Sequence, residues 1–335
     1  MQENFRPTNQ EVTHGANLQV ETRPWRIPEL TVYITDSCSL SCQGCITSNN
    51  LALGGHLKLD HARARIDVWA RLVKVDQLYV IGGEPMSHPN LNEWITYLDS
   101  TFDSPRKTIV TNGHGIEQRT QEVASWLELG WDFEVSSHSQ QDFLAATEWW
   151  RALSVELLDI SVTERSVTED GVTDYYLDSL GRPLMQIGLR EEFYAPSYDV
   201  VEGEIVWREL TNPQATHRAC PARACTHLVN GVMYRCPVQA TVPRLAQKFN
   251  IQGRAGELAQ RDLGYDPLAQ NSRSLSTWMN TLGSSTEQCR LCKWPRTREI
   301  IPNPGLKKIK LHPRINPGSP ATVQDTGSSP ADVEH

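Results

Sequence analysis

Cys38, Cys42 and Cys45 stand at the spacing CxxxCxxC. With eight cysteines in 335 residues, the chance of meeting two more at these offsets from a given one is about 6 in 10,000 from composition alone, so the spacing is informative. Three thiolates on one short loop can each take one iron of a [4Fe–4S] cluster and leave the fourth iron open to a substrate or cofactor. The small residues Ser39, Ser41 and Gly44 let such a loop wrap an inorganic core and turn its backbone N–H groups toward the sulfides. A zinc site is the alternative. It would need a fourth ligand, and closed zinc sites more often pair two CxxC-like knuckles.

The other five cysteines, Cys220, Cys225, Cys236, Cys289 and Cys292, fall together late in the chain. Cys220-x10-Gly231-x4-Cys236 reads as a hairpin in which Asn230-Gly231 is the turn and 232–235 the returning strand. Cys289-Arg-Leu-Cys292 adds two thiolates from a CxxC. A structural zinc ribbon fits this spacing as well as an iron–sulfur site does.

The elements that must position these groups follow an alternating pattern. Strands are expected at 30–35, 77–81, 107–111, 132–136, 156–162 and 184–189, and helices at 57–74, 91–100, 117–129 and 140–153. Repeated strand–helix units imply parallel strands with right-handed crossovers, in which ligands sit at the C-terminal ends of the strands. The polar motifs cluster there: TDSCSLSCQGC after strand one, GGEP after strand two, TNGHG after strand three and SSHSQ after strand four. Gly82 and Gly83 would let backbone approach a ligand where side chains collide, and Glu84 could accept charge-assisted hydrogen bonds from an ammonium group. Asn112 and His138 can face a ligand, although Asn112 equally fits an ordinary Asn-Gly turn and His138 an ordinary loop. The Trp149-Trp150 pair reads as packing.

Cys38-Ser-Leu-Ser-Cys42-Gln-Gly-Cys45 resembles the signature of the radical S-adenosylmethionine superfamily. The resemblance implies an α/β fold with a partial (β/α)6 TIM-like barrel. It also implies a [4Fe–4S] cluster that binds S-adenosyl-L-methionine, with reductive cleavage to a 5′-deoxyadenosyl radical. Cys38, Cys42 and Cys45 would be the catalytic cluster ligands. Gly82, Gly83 and Glu84 match the family's methionine-binding motif, Ser136 or Ser137 would touch the ribose, and Ser161 is a further candidate for that contact. The sequence departs from the family at Gly44, where an aromatic residue often contacts adenine. The second cysteine group resembles the twitch module, a shortened relative of the SPASM domain with one auxiliary [4Fe–4S] cluster. Its expected ligands are Cys225, Cys236, Cys289 and Cys292, because Cys225 keeps a compact loop into the hairpin, with Cys220 as the substitute for Cys225. The implied partner is an external electron donor such as flavodoxin or ferredoxin.

The expected organisation is an extension at 1–29, a core at 30–200, a small C-terminal iron–sulfur module at 201–301 and a disordered tail at 302–335. A net charge of −8 argues against nucleic-acid binding through the whole surface, although Lys307, Lys308, Lys310 and Arg314 form a local basic run. Neither a secretory signal nor an apolar run of bilayer length is visible, so a cytoplasmic location without membrane contact is expected. Members of the family modify peptides, alcohols, sugars and nucleobases. The expectation here is hydrogen abstraction from carbon for modification or isomerisation of a nucleobase, of the phage DNA thymidine type, with a peptide or small sugar or alcohol as the alternative. The competing class is a non-enzymatic zinc or iron–sulfur protein that binds nucleic acid or carries electrons.

Overall fold

The computed structural model describes residues 24–42, 45–51, 53–156, 163–169, 172–179, 182–189, 198–201, 204–207, 211–261, 264–271 and 273–292. Gly44, Ser161, most of the strand expected at 156–162, the basic run from Lys307 to Arg314 and the tail at 302–335 lie outside them.

The first half is four strand–helix units: β1 (Trp25–Tyr33), α1 (Leu59–Leu72), β2 (Val73–Ile81), α2 (Leu91–Thr101), β3 (Arg106–Thr111), α3 (Thr120–Glu128), β4 (Trp131–Ser137) and α4 (Gln140–Glu156). Then come β5 (Thr163–Glu169), β6 (Val172–Ser179), β7 (Arg182–Leu189), β8 (Tyr198–Val201) and β9 (Glu204–Trp207). The last part holds α5 (Pro213–Ala219), β10 (Cys225–Val229), β11 (Val232–Tyr234), α6 (Pro237–Phe249), α7 (Gly253–Ala259) and α8 (Leu275–Met279). Nine strands form one sheet in the order β11-β10-β1-β2-β3-β4-β7-β6-β5. The six from β10 to β7 run parallel, as in a partial (β/α)6 TIM-like barrel, and antiparallel strands flank them.

Two of the six parallel strands differ from the sequence expectation. β7 pairs directly with β4 and reaches it through the antiparallel β5–β6 hairpin rather than a strand–helix unit. The sixth is β10, which carries Cys225 and lies against β1. The second cysteine group is thus joined to the core sheet, and the change of sequence pattern near residue 200 is not a break in that sheet.

Helix spacing explains the packing. Leu59, Ala62, Ile66 and Trp69 on α1, Leu91, Trp94 and Leu98 on α2, and Val123, Trp126 and Leu127 on α3 form one buried stripe each. They meet Leu78, Val80, Ile109, Phe133, Val135, Met185 and Ile187 of the strands in a single core. Full burial of each large side chain contributes roughly 1.5–3 kcal/mol. Trp150 belongs to this core, 5.0 Å from the Phe133 ring. The opposite strand face is different: Glu29, Gln77, Tyr79, Glu134, Ser136 and Gln186 alternate with the apolar set and are half-buried. Helices cover one face and polar groups line the other.

Candidate functional site

The chain leaves β1 through Thr35-Asp36-Ser37 into the first cysteine loop. That segment is gripped by the loop after β2, since the Gly83 N–H donates to Thr35 O and the Glu84 N–H to Ser37 O, both at 2.7 Å. The approach is too close for side chains. A Cβ on Gly82 would stand 2.6 Å from Thr35 O, and one on Gly83 2.3 Å from Ser37 O. Sequence reasoning gave these glycines to a ligand; in the structure their missing side chains admit the backbone that leads into Cys38.

A second support comes from far along the chain. Asp36 is buried, accepts from the Tyr33 hydroxyl at 2.7 Å and from the Arg244 guanidinium of α6, and its carbonyl accepts from Asn49 Nδ2 at 2.7 Å. Burial, then the Asp36 charge, pushes the Tyr33 hydroxyl well above its ordinary value. Tyr33 packs with Val229 and Ala240 of α6, so the C-terminal part covers the polar face beside the cysteine loop. Neither Asp36 nor Arg244 was singled out from sequence. TDSC offered a signal for the first; nothing local marks the second.

Glu84 is 1% exposed and accepts three protein hydrogen bonds: Met86 N–H at 2.8 Å, Thr111 Oγ1–H at 2.6 Å and Asn112 N–H at 2.7 Å. Burial nevertheless raises its carboxyl to about 7, with those three donors opposing the rise. An ammonium group was a partner expected from sequence; within the protein the carboxylate ties the loop after β2 to the one after β3. Asn112 in turn directs Nδ2 at Cys38 Sγ (3.6 Å) and Ser39 Oγ (3.3 Å), and His114 Nδ1 also meets Ser39 Oγ at 3.3 Å. At the end of β4, Ser136 shares the polar face with Glu134, whereas Ser137 is fully buried on the helix side and its hydroxyl has no partner among the described residues. Register therefore favours Ser136 for a ligand on the polar face. His138 follows in the half-buried loop before α4.

Cys42 is 9% exposed, and burial followed by Cys45 and Cys38 raises its thiol to about 12. A buried thiol in that company ionises most easily when a cation takes the proton's place. Among the described residues no three His, Cys, Asp or Glu side chains converge round a single ion. A four-iron cluster asks for less convergence, because each of its thiolates binds a different iron. The donor set suits it: soft sulfur ligands, the Leu40 N–H at 3.4 Å from Cys38 Sγ, and a buried Ser41 hydroxyl with no partner among the described residues.

The second group is assembled from three segments. Cys220 precedes β10, Cys236 caps α6, and Cys289 and Cys292 lie in and after a short 3-10 turn. Burial first, then Cys236, Cys220 and Cys289, pushes the Cys292 thiol far up, and burial with Cys289 and Cys220 beside it raises Cys236 to about 12. Cys225 lies within reach of Cys220 and Cys236 as well, and has a further partner. As the first residue of β10 its side chain is directed by register at its β1 partner Glu29, and its thiol donates to Glu29 Oε2 at 2.9 Å. Cys220 and Cys225, the two candidates expected for one position, thus differ in that Cys225 also has a carboxylate partner. Arg235 lies beside Cys236 and Cys289; burial, then Arg273, lowers its guanidinium, and its buried Nε has no partner among the described residues.

The two groups sit toward opposite ends of the same strands. The first loop follows the C-terminal end of β1, while Cys225 pairs with Glu29, four residues or roughly 13 Å below Tyr33. Between them the polar face carries Tyr79, raised by burial and then by Glu134 and Glu29, and His227, whose burial lowers it to about 3 and keeps it neutral.

No family model matches the chain. Over 107 residues it is 26% identical to a GTP 3',8-cyclase of Streptomyces coelicolor, covering 31% of each protein, so it spans about a third of the curated relative's length. Among solved structures, BtrN in complex with AdoMet and 2-DOIA superposes with a TM-score of 0.43 at 14% identity, covering 83% of this chain and 98% of that one. Streptococcus suis SuiB bound to its precursor peptide SuiA superposes with a TM-score of 0.24 at 16% identity, covering 39% and 37%. Superpositions at these scores carry no argument about function.

Proposed function

We propose that this chain is a radical S-adenosylmethionine enzyme whose working cluster is held by Cys38, Cys42 and Cys45. The observation that carries the reading is the convergence of the CxxxCxxC loop with the loops after β2 and β3 at the C-terminal end of a parallel sheet, where such folds bind ligands. When bound, the cluster and S-adenosylmethionine would supply an electron and a 5′-deoxyadenosyl radical able to take hydrogen from unactivated carbon. The protein's share is to bind, orient and exclude water. Gly82, Gly83 and Glu84 hold the cysteine loop in place, Ser136 is offered to the ribose, and α6 closes over the polar face.

Cys220, Cys236, Cys289 and Cys292 would hold an auxiliary cluster, with Arg235 balancing its charge. Four protein thiolates leave no position open, which suits electron relay rather than direct substrate binding. An external flavodoxin or ferredoxin would supply the electrons.

For the substrate we propose a nucleobase, of the DNA thymidine type, modified or isomerised by hydrogen abstraction. Support comes from the partial sequence match to a cyclase named for a guanine nucleotide. A second reading, a small polyhydroxy or amino compound, is favoured by the carboxylates Glu29 and Glu134 on the polar face, which repel phosphate and attract hydroxyl and ammonium groups. Anaerobically reconstituted protein, reduced and given S-adenosylmethionine, is expected to yield 5′-deoxyadenosine. Adding single-stranded DNA with modified thymine, against amino sugars, then tests which one increases that yield and transfers deuterium to it.

A further inference from the structure

We infer that Asn112 is the hydrogen-bond donor that tunes the Cys38 ligand, and that Glu84 is the residue that positions it. The inference rests on the proposed cluster at Cys38, Cys42 and Cys45 and adds a residue that the cysteine motif does not contain.

The orientation of the amide follows from its partners. Asn112 Oδ1 accepts the His114 N–H at 2.9 Å, so the other end of the side chain must be the donor, and it faces Cys38 Sγ at 3.6 Å and Ser39 Oγ at 3.3 Å. The backbone beneath it is held on both sides. Asn112 N–H donates to Glu84 Oε2 at 2.7 Å, the Thr111 hydroxyl donates to Glu84 Oε1 at 2.6 Å, and that hydroxyl accepts the Gly113 N–H at 3.0 Å. Gly113 has φ +85°, and a Cβ there would come 3.2 Å from Val135 Cγ1, so the turn that aims Asn112 favours glycine. Asn112 is 8% exposed and Cys38 is half-buried.

An N–H aimed at a ligating sulfur withdraws electron density from the metal–sulfur bond and stabilises the reduced, more negative cluster. Asparagine supplies that donor with no charge. Aspartate at the same place fills the same volume and keeps the acceptor for His114 N–H, but would turn a lone pair or a negative charge on the sulfur. Alanine simply removes the donor.

The test uses the full chain, reconstituted anaerobically with iron and sulfide, as wild type, Asn112→Asp, Asn112→Ala, Glu84→Gln and the Asn112→Ala/Glu84→Gln double variant. EPR-monitored potentiometry without S-adenosylmethionine reads both clusters, and the second group serves as an internal control. The midpoint potential of the first cluster should fall in Asn112→Ala and further in Asn112→Asp, with iron content retained and the second cluster unmoved. At a fixed reductant potential 5′-deoxyadenosine formation should drop about tenfold in Asn112→Ala, the scale of a hydrogen bond to a charged group. Glu84→Gln should shift the same potential, and the double variant no further than Asn112→Ala, because Glu84 acts through Asn112. Loaded Asn112→Asp with a wild-type potential would overturn the role of Asn112, and additive shifts would overturn that of Glu84. Wild-type protein that takes up no iron at the first group would overturn the underlying reading itself, a different failure from an unmoved potential.

Discussion

The two cysteine groups are built in opposite ways. Cys38, Cys42 and Cys45 come from a single loop that neighbours hold from outside: Gly83 and Glu84 through its leading backbone, Asn112 through Cys38, and Arg244 through Asp36. Cys220, Cys236, Cys289 and Cys292 come from three separate segments and are crowded against one another. A three-thiol loop leaves one metal position for chemistry, whereas a four-thiol cage closes it. Under the proposed function the first group would serve catalysis and the second structure or electron relay.

The largest break between them is expected from single cysteines. Cys42→Ala should abolish 5′-deoxyadenosine formation, while Cys289→Ala should leave a measurable fraction, read by chromatography of the quenched reaction. Equal loss in both would remove the functional distinction.

Gly83→Ala comes next. Its Cβ meets Ser37 O at 2.3 Å, a backbone atom that cannot swing aside, so overpacking should cost on the order of 1–3 kcal/mol and displace the first loop. Iron bound at the first group should fall while the signal of the second persists.

Within the second group, Cys220→Ser should lower iron content more than Cys225→Ser. The Cys225 thiol donates to Glu29 at 2.9 Å, and replacing it would leave the proposed four-thiol set intact. Iron and sulfide analysis of the two purified variants decides the ligand set, and a larger loss in Cys225→Ser would favour the set expected from sequence.

The smallest effect is one of pH. Glu84 is raised to about 7 in the fold, above its ordinary carboxylate value, so the folded protein holds that proton longer than the unfolded chain. Its stabilising contribution is full below the unfolded value and is lost as pH rises through about 7, a change on the order of 1–3 kcal/mol. Apo wild type should lose thermal stability relative to Glu84→Gln between pH 5 and 7.5, and parallel melting curves would contradict this.

Much of the first site was legible because its signals are local. Each polar motif directly follows an apolar strand run, and the helices at 91–100 and 140–153 agree closely with Leu91–Thr101 and Gln140–Glu156. The Asn230-Gly231 turn was legible for the same reason, both residues having positive φ, 50° and 75°. The β5–β6 hairpin was missed although Asp170-Gly171 stands between its strands, a dipeptide that signals such a turn. The pairing of β10 with β1 joins Cys225 to Glu29 across nearly two hundred residues, and parallel pairing at that separation leaves no mark in local periodicity. The choice between Cys220 and Cys225 depended on that pairing, because only the sheet register shows where Cys225 points. Asn112 and Glu84 were both noticed, but their mutual bond crosses two loops and was invisible in either one.

The central claim, that the three-thiol loop works on S-adenosylmethionine while the four-thiol cage does not, is tested most directly in Cys289→Ala protein. Reconstituted anaerobically, reduced and mixed with S-adenosylmethionine, it should show a first-cluster EPR signal that changes when the cofactor is added, together with 5′-deoxyadenosine in the product. An unchanged signal with no 5′-deoxyadenosine, or a colourless protein carrying stoichiometric zinc, would contradict the account.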